Sequence, residues 1–211
     1  MKKFIVSGLF IIFVGTFIFS LCGCEKRITD KNDSDVIVID KYIQFLNGNI
    51  AAQGNDDWFF INDMETSSLQ PGINCYALLD INKDGISELC TQGYTLTVFT
   101  VHNDNIIQIY KTDAGFDTHL FLKNSAIMSL KKSTGTLYRY TTFDNDLVSS
   151  TIEFFDAESY LDNAPYYFAG IKVTKKEYET LSKEYLELSK DLKSVYWYEY
   201  DININKAYLE E

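Results

Sequence analysis

Apolar residues in this chain follow three different rhythms, and each predicts a different kind of structure. Over 36–50, Ile39, Tyr42, Ile43, Leu46 and Ile50 recur at three- and four-residue spacing, which predicts a helix with Ser34 or Asp35 as N-cap and Gly48 near its end. Residues 51–70 are mixed, with a turn at Asn55-Asp56-Asp57, a short apolar strand at Trp58-Phe59-Phe60-Ile61 and a polar loop leading to Pro71-Gly72. From residue 74 the pattern changes to period two. It predicts strands at 75–79, 88–92, 95–102, 106–111, 118–122, 126–131, 136–143 and 147–155, with turns at 103–105, 133–135 and 144–146.

After a break at Asp162-Asn163-Ala164-Pro165, short strands at 166–168 and 171–173 flank an Ala-Gly turn. Thr174-Lys175-Lys176-Glu177 is a capping box, and a helix is expected to run from it to about residue 193, with Tyr178, Leu181, Tyr185, Leu188 and Leu192 on one stripe. Alternation over 196–204 predicts a last strand. Consecutive strands joined by short turns usually pair with their neighbours. The expected fold class is therefore α+β: an antiparallel meander with an N-terminal and a C-terminal helix packed on it, occupying 36–211 as a single domain.

The first residues follow a third rhythm. Lys2 and Lys3 precede an apolar run over 4–21 that is broken only by small or hydroxylated residues. Such a run engages the secretion machinery; eighteen apolar residues are also about the minimum that spans a bilayer, so an uncleaved anchor is the other reading. The run ends Leu21-Cys22-Gly23-Cys24, which resembles a bacterial lipobox, with Cys22 the less usual residue at its second position. The resemblance implies that residues 1–23 form a signal peptide removed before Cys24, that Cys24 carries diacylglycerol, and that the body is lipid-anchored on the extracytoplasmic face of the cell membrane. Residues 24–35 are polar and predict a flexible tether.

Charge narrows the range of partners. The chain carries 19 basic and 30 acidic residues, a net −11, and removing Lys2 and Lys3 with the leader makes it −13. A chain this acidic does not bind nucleic acid by neutralising phosphates. It attracts cations instead.

The densest acidic cluster is Asp80-Ile81-Asn82-Lys83-Asp84-Gly85-Ile86-Ser87-Glu88-Leu89. Side-chain oxygens fall at alternate residues, Gly85 follows the third of them, and strands are expected on both sides. Hard cations such as Ca²⁺ take six to eight oxygen ligands, which suits this spacing. An Asx-rich turn that satisfies its own backbone, without metal, has the same composition. A strict EF-hand is excluded, because Thr91 stands where the twelfth-position acid belongs. The form resembles the calcium loops of FG-GAP/VCBS-type modules. It is also similar to loops in uncharacterised secreted lipoproteins of Gram-positive bacteria, which share the preceding Tyr76-Ala77-Leu78-Leu79 and the segment 166–178. That resemblance implies Asp80, Asn82, Asp84 and Glu88 as side-chain ligands and Ile86 through its carbonyl. With three carboxylates and no bidentate twelfth-position acid, the expected affinity is weak, on the order of 10⁻⁴ to 10⁻³ M, and the role structural.

Catalytic signatures are missing: the sequence has no H-E-x-x-H, G-x-S-x-G, P-loop or dinucleotide fingerprint, and only two histidines, His102 and His119. The expectation is a non-enzymatic module that binds a cell-surface glycan or protein; the alternative is a secreted hydrolase with a dispersed site. Aromatic runs at 58–60, 166–168 and 196–198 either fill the core or line a sugar- or peptide-binding surface. Cys75 and Cys90 flank the acidic loop, and pairing Leu79 with Leu89 would place them on opposite faces of the hairpin.

Overall fold

The computed structural model describes residues 33–54, 57–61, 64, 73–144, 149–157 and 165–200. The leader, Cys24 and most of the tether lie outside the described residues, as do the turn at 145–146, the break at 162–164 and the last residues of the C-terminal strand. Residues Ile37–Glu211 form one compact unit, and Met1–Val36 group separately. Among the described residues no helix is long and apolar enough to cross a membrane.

The fold is α+β. Helix α1 spans Asp33–Leu46. It ends on Gly48 at φ 71°, where Gly48 N donates to Phe45 O and Asn49 N to Gln44 O, a left-handed closure that favours glycine. Strands β1 (Ala52–Gln53), β2 (Trp58–Phe59), β3 (Ile73–Leu79), β4 (Glu88–Gly93), β5 (Leu96–His102), β6 (Asn105–Lys111) and β13 (Tyr198–Glu199) make one sheet in the order β13-β3-β4-β5-β6-β1-β2. Strands β7 (Thr118–Leu122), β8 (Ala126–Lys132), β9 (Gly135–Phe143), β10 (Ser149–Ala157), β11 (Tyr166–Phe168) and β12 (Ile171–Val173) make a second, in the order β12-β11-β10-β9-β8-β7. Helix α2 spans Lys175–Leu188 behind the Thr174–Glu177 capping box, in which Glu177 N donates to Thr174 Oγ1 and Thr174 N to Glu177 Oε2.

The meander is thus real but divides into two sheets, each with a helix on one face. Three clusters show the layering. Val38, Tyr42, Phe45 and Leu46 of α1 pack on Tyr76, Leu89, Phe99 and Ile106 of the first sheet. Ala77, Leu79, Cys90 and Val98, on the opposite face of that sheet, meet Phe121, Ile127 and Phe143 of the second. Leu122, Met128, Tyr140 and Phe154, facing away from that contact, meet Tyr178 of α2. Two pairings have no counterpart in a meander of sequential neighbours: β1 runs parallel to β6, with β2 returning antiparallel to β1, and β13 adds antiparallel to β3 at the other edge of the first sheet.

Three expectations are corrected. Helix α2 stops at Leu188: Ser189 caps it, and the chain after it turns onto the second sheet, where Lys193 N donates to Phe121 O and Leu192 bridges Leu122. Leu192 therefore belongs to a strand-like contact. The buried stripe of α2 runs through Tyr178 and Ser182, four residues apart on one face, and Leu181, one residue before Ser182 and about 100° round the helix from it, is exposed. In the β3–β4 hairpin, Leu79 pairs with Glu88 and Leu78 with Leu89. That register is one residue tighter than supposed, so Cys75 and Cys90 share a face as diagonal neighbours opposite Gln92 and Ala77. Both thiols are free, and Cys75 Sγ approaches Gln92 O at 3.9 Å.

Candidate functional site

The acidic loop closes the β3–β4 hairpin, whose two faces feed two different clusters. The first four residues of β4 are all buried. A loop leaving such a hairpin starts and ends inside the protein, and Ile81, Asn82 and Glu88 are accordingly buried despite their mixed character. Gly85 at φ 89° makes the bend, and Lys83 also adopts a left-handed backbone at φ 65°.

Each oxygen-bearing side chain meets a specific neighbour. Gly85 N donates to Asp80 Oδ2 (3.2 Å), Asp84 N to Asn82 Oδ1 (3.2 Å), Ile86 N to Asp84 Oδ1 (2.7 Å) and Ile81 N to Glu88 Oε2 (2.7 Å). Asn82 Nδ2 donates to Asp84 Oδ2 at 3.0 Å. The loop is therefore a chain of Asx-type turns, as the metal-free reading requires. It leaves two oxygens over. Asp80 Oδ1 and Glu88 Oε1 are buried and have no hydrogen-bond donor. A buried carboxylate oxygen without a donor is costly unless a proton or a cation compensates it. Burial pushes the Glu88 carboxyl up to about 7; the Ile81 amide and, to a smaller extent, the Asn82 amide oppose this, and the Asp84 and Asp80 carboxylates add to it.

The loop is also tied to both ends of the folded body. Tyr42 of α1 donates its hydroxyl to Ser87 O (3.0 Å) and Phe99 O (3.3 Å). Lys193, beyond α2, donates its ammonium to Asp80 O. The Ile86 side chain packs beneath, against the α1 cluster.

Oxygen-only donors and two uncompensated buried oxygens fit a hard cation in chemistry. Their positions fit it less closely: among the described residues no three His, Cys, Asp or Glu side chains gather around one point. Both Asp84 oxygens are already engaged, so Asp84 would have to release Asn82 Nδ2 to join Asp80 and Glu88. No protein-family model matches this chain, and no curated protein or solved structure matches it significantly.

A hydrolase reading would need a reactive pair. The described residues offer one Ser–His contact, His119 Nδ1 to Ser129 Oγ at 2.9 Å. Ser129 is fully buried, and its hydroxyl also meets Tyr110 Oη at 3.2 Å. A nucleophile needs access to substrate, and this hydroxyl has none. The contact is a polar link inside the sheet-to-sheet core. Arg139 is held by Asp113 and Glu153 and lies over the Phe116 ring at 4.5 Å.

His119 has a consequence for stability. Burial pushes its imidazole down to about 4, with Asp117 opposing. An unfolded histidine at about 6.5 takes up a proton that the folded one refuses, so stability is full above that value and falls as pH drops toward 4. Glu88 acts the other way: its raised carboxyl contributes below about 4.5, and that contribution is lost as pH rises through about 7. Comparing urea denaturation at pH 7 and pH 4.5 for the wild type and His119→Gln separates the two. The wild type is expected to lose roughly 1 to 3 kcal/mol more than the variant over this interval; equal losses would show that His119 titrates normally in the fold.

Proposed function

We propose that this chain is a binding protein tethered to the outer face of a membrane by a lipidated Cys24, with its central hairpin fastened by a structural calcium ion. The observation that carries the calcium reading is the pair of buried oxygens without donors, Asp80 Oδ1 and Glu88 Oε1, at the closed end of a hairpin covered on both faces. Asp80, Asn82, Asp84 and Glu88 would hold the ion through side chains and Ile86 through its carbonyl. When bound, the ion supplies the positive charge that lets the clustered carboxylates stay ionised in a desolvated place.

The tether reading is supported by the sequence Leu21-Cys22-Gly23-Cys24 after an apolar run, followed by a polar stretch. A strongly acidic body suits a surface that gathers cations. A binding role rather than catalysis is supported by the buried, hydrogen-bonded state of the Ser129 hydroxyl beside His119.

Calcium at about 10 mM is expected to raise the melting temperature of the purified full chain by roughly 3 to 10 °C, from an affinity near 10⁻⁴ to 10⁻³ M. Asp80→Ala combined with Asp84→Ala removes the shift. A wild type indifferent to calcium would rule the ion out and leave the loop as a self-satisfied turn.

Mass spectrometry of the mature protein from a secreting bacterial host is expected to find an N-terminal Cys24 carrying diacylglycerol, and Cys24→Ser releases the protein from the membrane fraction or blocks its processing. An intact, unmodified Met1 terminus would contradict the anchor.

A further inference from the structure

Three consecutive aromatics, Trp58 and Phe59 of β2 and Phe60 just after it, divide between the core and the surface. Phe59 points inward, where its ring lies 6.3 Å from Phe45 and 6.1 Å from Phe99. Trp58 and Phe60, its neighbours in the chain, are 55% and 45% exposed. They line an open groove of about 460 Å³ between the end of α1, the 49–51 connection and the β5–β6 hairpin turn. Pockets of about 300–1,000 Å³ are the usual size for small ligands.

The groove is built on ordered elements. The turn Asn103-Asp104 has both residues in the left-handed region, at φ 47° and 67°, which is the backbone that closes a two-residue hairpin. Lys41 of α1 clasps that turn, donating to Asp104 O at 2.8 Å and pairing with Asp104 Oδ1 at 3.4 Å. Gln44 also faces the groove, with its Nε2 held by Asp40 at 2.8 Å. Asn49 and Asn105 complete the rim with exposed amides, each offering both donors and acceptors.

We infer that this groove binds a neutral oligosaccharide. A sugar ring has flat C–H faces that stack on aromatic surfaces and a rim of hydroxyls that bond to amides and carboxylates. Two exposed aromatics beside a set of amides match both parts. The charges within the groove pair with each other, and the chain as a whole is acidic, so an anionic ligand gains nothing here. A peptide added as a further strand would need a long free edge, and β2 is two residues long. Among the described lining residues Asp104 is the one acid, whereas glycoside hydrolysis takes two carboxyl groups across the bond. Binding without cleavage is the outcome.

This inference rests on the reading of the chain as a binding module and is independent of calcium. Of the two tryptophans, Trp197 is partly buried edge-on to Phe121 at the margin of the core and outside the groove, which leaves Trp58 as the emitter that a ligand in the groove touches. Titrating the full chain in detergent with neutral cello-, manno-, chito- and galacto-oligosaccharides is expected to shift that emission saturably for at least one series. Trp58→Ala and Phe60→Ala each weaken binding at least about tenfold, as loss of a central aromatic anchor does, while Trp58→Phe retains most of it when followed by calorimetry. All three variants keep the wild-type melting temperature and its response to calcium.

No binding by any series to a folded wild type overturns the inference, as does binding that survives Trp58→Ala unchanged. Capture of an extended peptide at this groove, with no saccharide bound, overturns the ligand class. Loss of the calcium response with saccharide binding intact contradicts the calcium reading alone.

Discussion

The structure depends on burying both faces of the β3–β4 hairpin. Tyr76 and Leu89 look toward α1, and Ala77, Leu79 and Cys90 look toward the second sheet, so this hairpin is the wall that two cores share. At about 25 cal/mol per Å² of apolar surface, a strand pair covered on both sides contributes more than one with a solvated face. The same burial makes its closed end a problem. Backbone and side-chain polar groups that would face water in an ordinary hairpin turn here face protein, and each needs a partner. The acidic residues at 80–88 supply most of those partners locally, one carboxylate or amide oxygen to each of four backbone amides.

That solution concentrates negative charge where water is scarce. Glu88 is fully buried with one oxygen on the Ile81 amide and the other without a donor, and Asp80 has the same division. The only ammonium that the described contacts bring to the loop is that of Lys193, and it sits on the Asp80 carbonyl and not on either carboxylate. A proton on Glu88 relieves the strain at low pH, and a divalent cation relieves it at neutral pH. The calcium proposal follows from this electrostatic imbalance. The saccharide groove, built from α1, β2 and the β5–β6 turn, uses the rigidity of the first sheet and makes no use of that charge.

Much of this was legible in the sequence because its signals are local. Spacing of oxygens, the Gly85 bend, the Thr174–Glu177 box and the strand-turn alternation each report on a few neighbouring residues, and the box, the bend and the strands between 73 and 143 appear close to where the pattern put them, whereas the strand expected over 58–61 shrinks to Trp58–Phe59. What was not legible depended on tertiary competition. Nothing in 186–193 says that Lys193 will pair with Phe121 across seventy-odd residues of chain, and that contact ends the helix early. The one-residue tightening that pairs Leu79 with Glu88 follows from burying Glu88, and a register argument from apolar residues alone passes over it. The division into two sheets is likewise a long-range choice. The Trp58-Phe59-Phe60 alternation could have separated the inward ring from the outward pair, yet only the neighbouring Lys41–Asp104 clasp turns that pair into a groove.

The most direct test of the electrostatic account is a crystal structure of the protein grown with calcium at neutral pH, with the ion located by its anomalous scattering. The account predicts a peak at about 2.3–2.6 Å from Asp80 Oδ1 and Glu88 Oε1, with Asp84 turned away from Asn82 Nδ2 to join them. An ordered loop with no such peak, Asp84 still bonded to Asn82, and a water or a protonated Glu88 filling the gap would contradict it.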